Sequence, residues 1–384
     1  MGWCTTVSTD PYPNLAWLRE HVPVSRLRGG GWFVTGYADA RACLADARLS
    51  HDDRHGRALA DQDRHAVRDL LDMDPPDHSR LRRLLAPAFG AAAVERLAPA
   101  ITRLCDAELD RFAWHGTADL VRDFAVPVPI AVIHELLGAG GLDYGDPAVL
   151  LDVLLRGGLA EPRDPDAVAA AQEHVERVLS AASGGLTGVL RQELGDDELR
   201  SMVFTVLVAG SVTTAGLIGC ALAQILASGE EHTDLLSGRG PWTPFLDEVL
   251  RFHAPVQSSV LRYSREDVAV GDTTVPCGAA VVVSLASANR DPAAFERADT
   301  FDPARGSRGG LAFGHGPHRC PGDRLTRVEA EIALRAVFGR LADVRLREPV
   351  TWSPDVMLRG PAALPVTFGQ REREDETGES HGDL

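Results

Sequence analysis

Residues 313–322 read Phe-Gly-His-Gly-Pro-His-Arg-Cys-Pro-Gly. The glycines and prolines predict a tight loop around Cys320, and helical periodicity begins at Asp323. A cysteine in such a loop lies among backbone N–H groups at the positive end of a helix dipole, which favours the thiolate over the thiol. A rigid thiolate shielded from water suits a metal better than nucleophilic attack, since no His/Asn arrangement for such catalysis is evident. The loop therefore predicts a metal-ligating cysteine.

Two simpler interpretations of this loop are a glycine-rich turn around a core cysteine and a phosphate-binding loop. A buried free cysteine commonly serves as a small apolar side chain. Gly314 and Gly316 have the spacing G-x-G, but no predicted strand precedes them and no third glycine follows at the dinucleotide-binding spacing. Both interpretations are therefore less well supported than a metal ligand.

The composition describes a large acidic globular protein. Of its 384 residues, 45% are hydrophobic and 24% are charged, and the formal net charge is −16. This charge argues against nucleic acid or an anionic membrane as the main partner. The cysteines lie far apart without a C-x-x-C pair, so a disulfide framework is not expected. The N-terminus shows no basic segment followed by an apolar stretch, so we expect no signal peptide and a cytoplasmic location.

The hydrophobic periodicity predicts one mainly helical domain over residues 1–368 and a polar, disordered tail over residues 369–384. Alternating patterns over residues 31–35, 258–288 and 344–368 predict a small β region within this helical domain. The stretch from Gly138 to Asp166 is rich in Gly, Pro and Asp, which predicts a mobile surface region.

Residues 202–228 form a long apolar segment without a charged side chain. A segment of this length could span a bilayer. However, the acidic residues at 196–198 and 230–231 flank it, with no Lys/Arg bias to set an orientation. A helix buried on all sides in a large protein has the same composition. We therefore expect a buried central helix, with a membrane protein as the alternative.

The cysteine loop matches F-x-x-G-x-[HR]-x-C-x-G and so resembles the haem-ligand signature of the cytochromes P450. The resemblance extends over about residues 10–368 and implies a cytochrome P450 fold, mainly α with a small β region in a single domain. It implies that Cys320 ligates the iron of haem b (iron protoporphyrin IX). It also implies that Phe313 packs beside the haem and that Gly316 lets the loop pass close to it.

A second motif, Glu248-Val249-Leu250-Arg251, resembles the E-x-x-R pair of the family's K helix. Residues three apart lie on one helix face, so a surface ion pair of little energetic value is the simpler interpretation. The motif precedes the cysteine loop in the family's order, which favours a buried structural triad. In that triad Arg305 would be the third member.

The resemblance also implies a set of contacts to the haem propionates. His78 and Arg82 match the family's C-helix pair, and Arg262 and His318 match the other propionate contacts. Cationic side chains facing two carboxylates form the charge-assisted hydrogen bonds that a buried haem requires. These four residues are therefore expected to converge, although they are widely separated in sequence.

The central helix departs from the family pattern [AG]-G-x-[DE]-T, because Val212 replaces the acidic residue. Thr213 still offers a hydroxyl over the iron, although a mid-helix threonine can instead bond its own backbone. Three explanations are open for the lost carboxyl. Ser211, the substrate or a water chain supplies the proton; the reaction is slow or leaks peroxide; or the chemistry is specialised. The first is preferred, with Ser211 and Thr213 as catalytic residues.

The substrate pocket is expected to be mostly apolar with a few orienting polar groups. Several of its predicted residues could instead belong to the core. They lie on the central helix, after the K helix and near the C-terminus, and are Leu207, Val212, Val256, Ser258, Ser259, Met357 and Leu358.

The resemblance implies a monooxygenase that uses O2 to oxidise a small, largely hydrophobic molecule, and we expect a role in specialised metabolism. Electrons are expected from a separate ferredoxin and ferredoxin reductase, since the chain shows no flavin- or nicotinamide-binding motif. Five arginines are expected to form a basic patch for that acidic donor. They are Arg80, Arg83, Arg319, Arg324 and Arg327.

Two other functions are consistent with the same motifs. Oxidative coupling or ring closure without oxygen insertion is one alternative, and the loss of the acidic residue at Val212 favours it. A non-catalytic haem-binding protein is the other, since it would need Cys320 but no substrate pocket. The chemical nature of the product distinguishes these functions.

Overall fold

A computed structural model describes residues 9–27, 30–56, 69–159, 164–228, 233–236, 240–306, 309–353 and 357–370. Most of the described chain is helical, as the periodicity predicted. The α-helices are α1 (Tyr12–His21), α2 (Tyr37–Ala45), α3 (Asp77–Phe89), α4 (Ala91–Phe112), α5 (Pro127–Leu137), α6 (Pro147–Leu154), α7 (Pro165–Ala181), α8 (Gly185–Glu193), α9 (Asp196–Ser228), α10 (Thr233–Leu236), α11 (Trp242–Phe252), α12 (Leu285–Asn289) and α13 (Asp323–Arg340).

The strands are short and form small sheets at the edge of the helical body. They are β1 (Val24–Arg26), β2 (Trp32–Val34), β3 (Leu49–Ser50), β4 (Thr117–Asp119), β5 (Arg262–Ser264), β6 (Val268–Val270), β7 (Thr273–Val275), β8 (Ala280–Val283), β9 (Leu341–Leu346), β10 (Thr351–Trp352), β11 (Pro361–Ala363) and β12 (Pro365–Gln370). The largest sheet has the order β1-β2-β8-β5-β3, and a second has the order β4-β12-β9. The small β region predicted from alternation is therefore confirmed.

The register of the largest sheet joins distant parts of the chain. β2 pairs in parallel with β8, so that Trp32 lies opposite Val281. β3 pairs antiparallel with β5, so that Ser50 lies opposite Tyr263. His51, which follows β3, is thereby placed beside Arg262 at the start of β5.

Helix α9 is the central core helix of the protein. Its first turn carries Asp196, Asp197 and Glu198, which stabilise the positive end of the helix dipole. Although α9 is long and apolar enough to cross a membrane, 78% of its most apolar window is buried inside the protein. Its apolar side chains therefore pack against other helices, as expected for a buried central helix.

Helix α3 begins at Asp77, and the carboxylate of the preceding Asp74 accepts hydrogen bonds from Ser50, Arg265 and the His51 backbone N–H. The stretch 138–166, which was predicted to be a mobile surface region, contains α6, and its residues 160–163 lie outside the described residues. Strand β12 continues to Gln370, beyond the predicted domain end at 368, while residues 371–384 of the predicted tail lie outside the described residues.

Glu329 on α13 is an acid inside the main core. Its side chain is 1% exposed, and its Oε1 has no hydrogen-bond partner among the described residues. It lies close enough to Cys105 on α4 to help raise the pKa of that thiol, although burial is the main cause. Burial also raises the pKa of Glu329 to about 8, so the carboxyl is mostly protonated at neutral pH.

We expect Glu329→Gln to remove part of the pH dependence of stability. The raised pKa means that the folded state binds more protons than the unfolded state between the ordinary carboxyl pKa of 4.5 and about 8. The contribution of this carboxyl to the free energy of unfolding is therefore fully present below pH 4.5. It decreases as pH rises toward about 8, by at most about 1.4 kcal/mol per pH unit. The urea midpoint of wild type should therefore fall relative to that of Glu329→Gln as pH is raised from 5 to 9, with most of the change below pH 8. Exposed Glu95→Gln is the control, and parallel pH profiles for wild type and Glu329→Gln would contradict the prediction.

Candidate functional site

The cysteine loop is closed by its own backbone. The N–H of Cys320 donates to the carbonyl of Phe313 at 2.9 Å, and α13 begins three residues later at Asp323. Gly314 has a φ of +71°, in the left-handed region that glycine adopts without strain. The guanidinium of Arg327 lies 4.5 Å from the centroid of the Phe313 ring. The loop is thus held at both ends, as the run of glycines and prolines predicted.

Gly316 allows a close backbone approach to α2, and its predicted closeness to the haem stays a prediction. Its φ is +79°, and a Cβ atom there would lie 2.8 Å from the carbonyl oxygen of Leu44 and 2.9 Å from the Cα of Ala45. The close approach that the structure shows is therefore to the backbone of α2. Any other residue would displace the loop from that helix.

Cys320 is half-buried, and the protein alone favours its thiol form. Burial raises the pKa of the thiol, while the Gly322 N–H, Arg82 and Arg319 lower it less strongly. This balance differs from the expectation that the loop by itself favours the thiolate, because desolvation outweighs the local dipoles. A ligated cation supplies the missing positive charge, since a thiol that coordinates a metal is deprotonated. The cysteine therefore fits a metal ligand better than a free nucleophile.

Three imidazoles lie together beside the loop, and we call His51, His78 and His318 the imidazole cluster. The ring centroids of His51 and His318 are 3.6 Å apart with planes at 17°, and those of His78 and His318 are 3.8 Å apart. Arg262 on β5 is 3% exposed and acts electrostatically on both His51 and His318. Arg82, one turn after His78 on α3, donates to the Arg319 carbonyl. The structure thus brings the four predicted propionate contacts together and adds His51.

This cluster is suited to an anion. Burial, with smaller contributions from neighbouring basic side chains, lowers the pKa of His318 to about 2 and that of His51 to about 3. Burial likewise lowers the pKa of Arg262 to about 10. His51 Nε2, His78 Nδ1 and Arg262 Nε are buried without a hydrogen-bond partner within the described part of the chain. Arg262 Nε–H is a buried donor that a haem carboxylate would pair directly. The same carboxylate would supply the negative charge that lets the free nitrogen of a neighbouring imidazole take up a proton.

Glu248, Arg251 and Arg305 also lie together, behind the loop. Arg251 binds Glu248 through two hydrogen bonds of 2.8 and 2.7 Å, and both side chains are 1% exposed. Arg305 Nε lies 3.5 Å from the same carboxylate. Arg251 also donates to three backbone carbonyls, those of Asn289, Ala298 and Thr300. This buried arrangement joins α11 to the chain before the loop, unlike the surface pair that was the simpler interpretation.

One face of α9 is less buried than the rest of the helix. Ala209, Thr213 and Gly216 are half-buried at spacings of four and three, which places them on one side. The Thr213 hydroxyl donates to the Ala209 carbonyl at 2.7 Å. The backbone bond that was the alternative for Thr213 is therefore present, and the hydroxyl oxygen still has lone pairs that can accept another bond.

Two further segments meet α9 at Gly216. A Cβ atom at that position would lie 3.4 Å from the Arg359 carbonyl oxygen and 3.5 Å from the Pro255 Cβ. Val256 is bridged to Leu358, and the Gln257 N–H donates to the Met357 carbonyl at 2.7 Å. The structure thus brings together the predicted pocket residues that follow α11 and those near the C-terminus. Among them Val256, Ser258, Ser259, Met357 and Leu358 are all half-buried.

Leu207 and Ser211 lie elsewhere on α9. Each is about 200° around the helix from Ala209, and Ser211 is also about 200° from Thr213. Both side chains have 0% exposure, and Leu207 belongs to an apolar cluster with Leu81 and Ile133. This placement differs from the expectation that Leu207 lines the pocket and that Ser211 supplies a proton there. The helical period alone could have shown this. Val212 is buried in the same cluster, at the edge of the half-buried face.

The family model for "Cytochrome P450" matches residues 243–342. Cytochrome P450 107B1 of Saccharopolyspora erythraea is 35% identical, with 94% of this chain and 95% of the relative aligned. The chain belongs to the cytochrome P450 family. The P450 monooxygenase PikC of Streptomyces venezuelae is also 35% identical, over 97% of this chain and 94% of its own. The P450 CxnD, solved as the enzyme for C–S bond formation in chuangxinmycin biosynthesis, has a TM-score of 0.85 at 29% identity, covering 94% of this chain and 95% of that one.

This P450 is an oxidoreductase of the monooxygenase type. The haem–thiolate group of the family, when bound, supplies the activation of O2 with electrons from a redox partner. Here Cys320 would hold the iron, and the imidazole cluster with Arg262 and Arg82 would hold the carboxylates. The sequence motifs identified each of these residues except His51, which lies in no recognised motif.

Proposed function

We propose that this P450 binds haem b through Cys320 and inserts one oxygen atom into a small, largely hydrophobic molecule in specialised metabolism. The observation that carries this proposal is the convergence of three segments into one half-buried region. These are the half-buried face of α9, residues 256–259 and residues 357–358. The similarity to the monooxygenase PikC supports the same reaction type. We propose a cytoplasmic location, and burial of α9 within the protein supports a core helix rather than a membrane span.

The residues of these segments suit an apolar substrate with a few polar groups. Val256, Met357 and Leu358 offer apolar surface for burial of the substrate. Ser258 and Ser259 add hydroxyl groups that can orient it, although Ser259 Oγ already donates to the Val260 carbonyl at 3.0 Å. We therefore propose that shape and burial determine affinity, and that these hydroxyl groups determine orientation.

The catalytic proton requires a source other than the side chain at 212. Ser211 lies on the far side of α9 and has no path to the half-buried face through its own side chain. Thr213 lies on that face, and its hydroxyl can relay a proton from water or substrate. We propose Thr213 as the catalytic residue and water or a substrate hydroxyl as its proton source.

We propose a ferredoxin, reduced by a ferredoxin reductase, as the electron donor. A surface pocket of about 300 Å³ lies against the cysteine loop, and its lining includes Arg41, Arg319 and Arg327. The basic patch is weaker than the sequence suggested, since Arg319 binds Asp323 and Arg327 binds Asp247. Arg80 likewise binds Glu198. The exposed Arg41, Arg83 and Arg324 therefore supply most of the charge available to an acidic donor.

Turnover in 18O2 tests this proposal. Hydrophobic compounds are first screened for those that shift the Soret band of the ferric protein. They are then incubated with spinach ferredoxin, its reductase and NADPH. We expect at least one compound to gain a single 18O atom, in a reaction that requires the ferredoxin. Thr213→Ala should consume NADPH while forming less product per electron, by roughly ten-fold or more, because proton delivery is impaired.

Oxidative coupling is the second candidate function. The replacement of the acidic residue by Val212 and the similarity to the C–S bond-forming CxnD favour it. The same turnover experiment separates the two, because coupling yields a product that has lost two hydrogens and contains no 18O. A protein that is reduced by ferredoxin and binds carbon monoxide, yet converts no compound, would instead be a non-catalytic haem protein.

A further inference from the structure

His51 is placed in the site by the sheet rather than by any motif. It directly follows β3, and the pairing of β3 with β5 sets it beside Arg262. Its ring then stacks on His318 with centroids 3.6 Å apart and planes at 17°. The side chain is only 3% exposed. A buried imidazole is thus held rigidly against a predicted propionate contact.

The hydrogen bonds of His51 define which of its nitrogens is free. Nδ1 lies 3.0 Å from the Leu71 carbonyl oxygen, which can only accept, so Nδ1 carries a hydrogen. The His51 backbone N–H donates to Asp74 Oδ1 at 3.1 Å. Nε2 is buried and has no partner in the described part of the chain. The Leu71 hydrogen bond therefore fixes the orientation of the ring, and Nε2 is left without a hydrogen-bond partner among the described residues.

Nε2 lies among two further imidazoles and the guanidinium of Arg262. Electrostatic interactions with His78 and Arg262 lower the pKa of both His51 and His318. Two more buried nitrogens, Arg262 Nε and His78 Nδ1, also lack hydrogen-bond partners among the described residues. Two acids, Asp74 and Asp46, act on Arg262. The oxygens of Asp74 already accept from Ser50, Arg265 and the His51 backbone, and those of Asp46 accept from Arg48. A haem carboxylate would supply the negative charge and the acceptor oxygens that this buried set lacks among the described residues.

We propose that His51 is a further contact of a haem carboxylate, with one proton shared between Nε2 and the propionate oxygen. This inference rests on haem b as the cofactor. The Leu71 bond keeps Nδ1 protonated, so the proton that Nε2 gains completes an imidazolium opposite the carboxylate. His51 is a positioning residue for the cofactor, since its side chain is assigned to the carboxylate edge and not to the iron.

Two substitutions separate the two nitrogens of His51. In His51→Asn the new side-chain amide reproduces Nδ1 but not Nε2, whereas in His51→Gln it reaches the Nε2 position but not the Leu71 carbonyl. The readout is the rate at which the purified ferric holoprotein loses haem to excess apomyoglobin. We expect His51→Asn to lose haem roughly ten-fold faster than wild type, and His51→Gln to remain within about two-fold. Exposed His55→Gln, on the same loop, is the control.

The opposite order, with fast loss only in His51→Gln, would show that the Leu71 bond matters and would overturn the assignment. Equal rates in all variants would overturn it too. Haem with both propionates esterified gives a second test, because reconstituted wild type and His51→Asn should then lose it equally fast. Protein that takes up no haem b would refute the proposed cofactor itself, whereas haem-loaded protein with unchanged rates would refute only the role of His51.

Discussion

Cys320→Ala is expected to abolish the red-shifted Soret band of the carbon monoxide complex of the dithionite-reduced protein. That band is characteristic of haem ligated by a thiolate. The loop places a single sulfur at this position, and burial leaves its thiol uncharged unless a cation binds it. Removing the sulfur therefore removes the ligand rather than weakening it. The difference spectrum between the reduced protein with and without carbon monoxide measures the effect directly.

Cys277→Ala is the matched control for this spectrum. Cys277 is also a half-buried free cysteine, and its sulfur contacts the Arg265 carbonyl at 3.2 Å in the β7–β8 turn. The control should keep the full band. A Cys320→Ala protein with an unchanged spectrum would exclude Cys320 as the ligand, and another cysteine would then have to be sought.

Glu248→Ala is expected to lower the free energy of unfolding by about 3–5 kcal/mol, because it leaves Arg251 buried without its counter-charge. The Glu248 carboxylate accepts from Arg251 twice, from the Asp302 N–H at 2.8 Å and from Arg305. Its loss also removes the acceptor that holds the segment before the cysteine loop. Urea unfolding followed by circular dichroism measures the change, and haem content reports the expected secondary loss of cofactor.

Two further variants make this result interpretable. Asp152→Asn removes the carboxylate of an ion pair with Arg156 whose side chains are 55% and 50% exposed, so it should change stability by less than about 1 kcal/mol. Glu248→Gln keeps two acceptor lone pairs and should lie between wild type and alanine in stability. If Glu248→Ala unfolds at the same urea concentration as Asp152→Asn, the buried pair does not stabilise the fold.

Local signals predicted the parts of the site that depend on short stretches of chain. The run of glycines and prolines around Cys320 restricts the backbone to a tight loop whatever lies around it. The E-x-x-R spacing places Glu248 and Arg251 on one face of α11, and the structure adds the burial that the spacing left open. The uncharged segment 202–228 is helical and buried as expected, since no amphipathic face directs it to the surface.

The pocket and proton-donor roles predicted for Leu207 and Ser211 rested on sequence position and agree less well with the structure of α9. Ser211 and Leu207 are near Thr213 in sequence but point to the opposite side, because each residue turns the helix by about 100°. Which side faces the other pocket segments depends on how α9 packs against its neighbours. The close contact of Gly216 with residues 255 and 359 decides it.

The chain's local chemistry thus determined the cysteine loop, the mainly helical character and the residue types that a haem requires. Pairing between distant segments decided the rest. His51 shows the reason: no neighbour in sequence distinguishes it from the exposed His55, and only the β3–β5 ladder sets it against Arg262 and His318. Burial, ring stacking and unpaired nitrogens are properties of that tertiary contact, because each depends on atoms contributed by residues far apart along the chain.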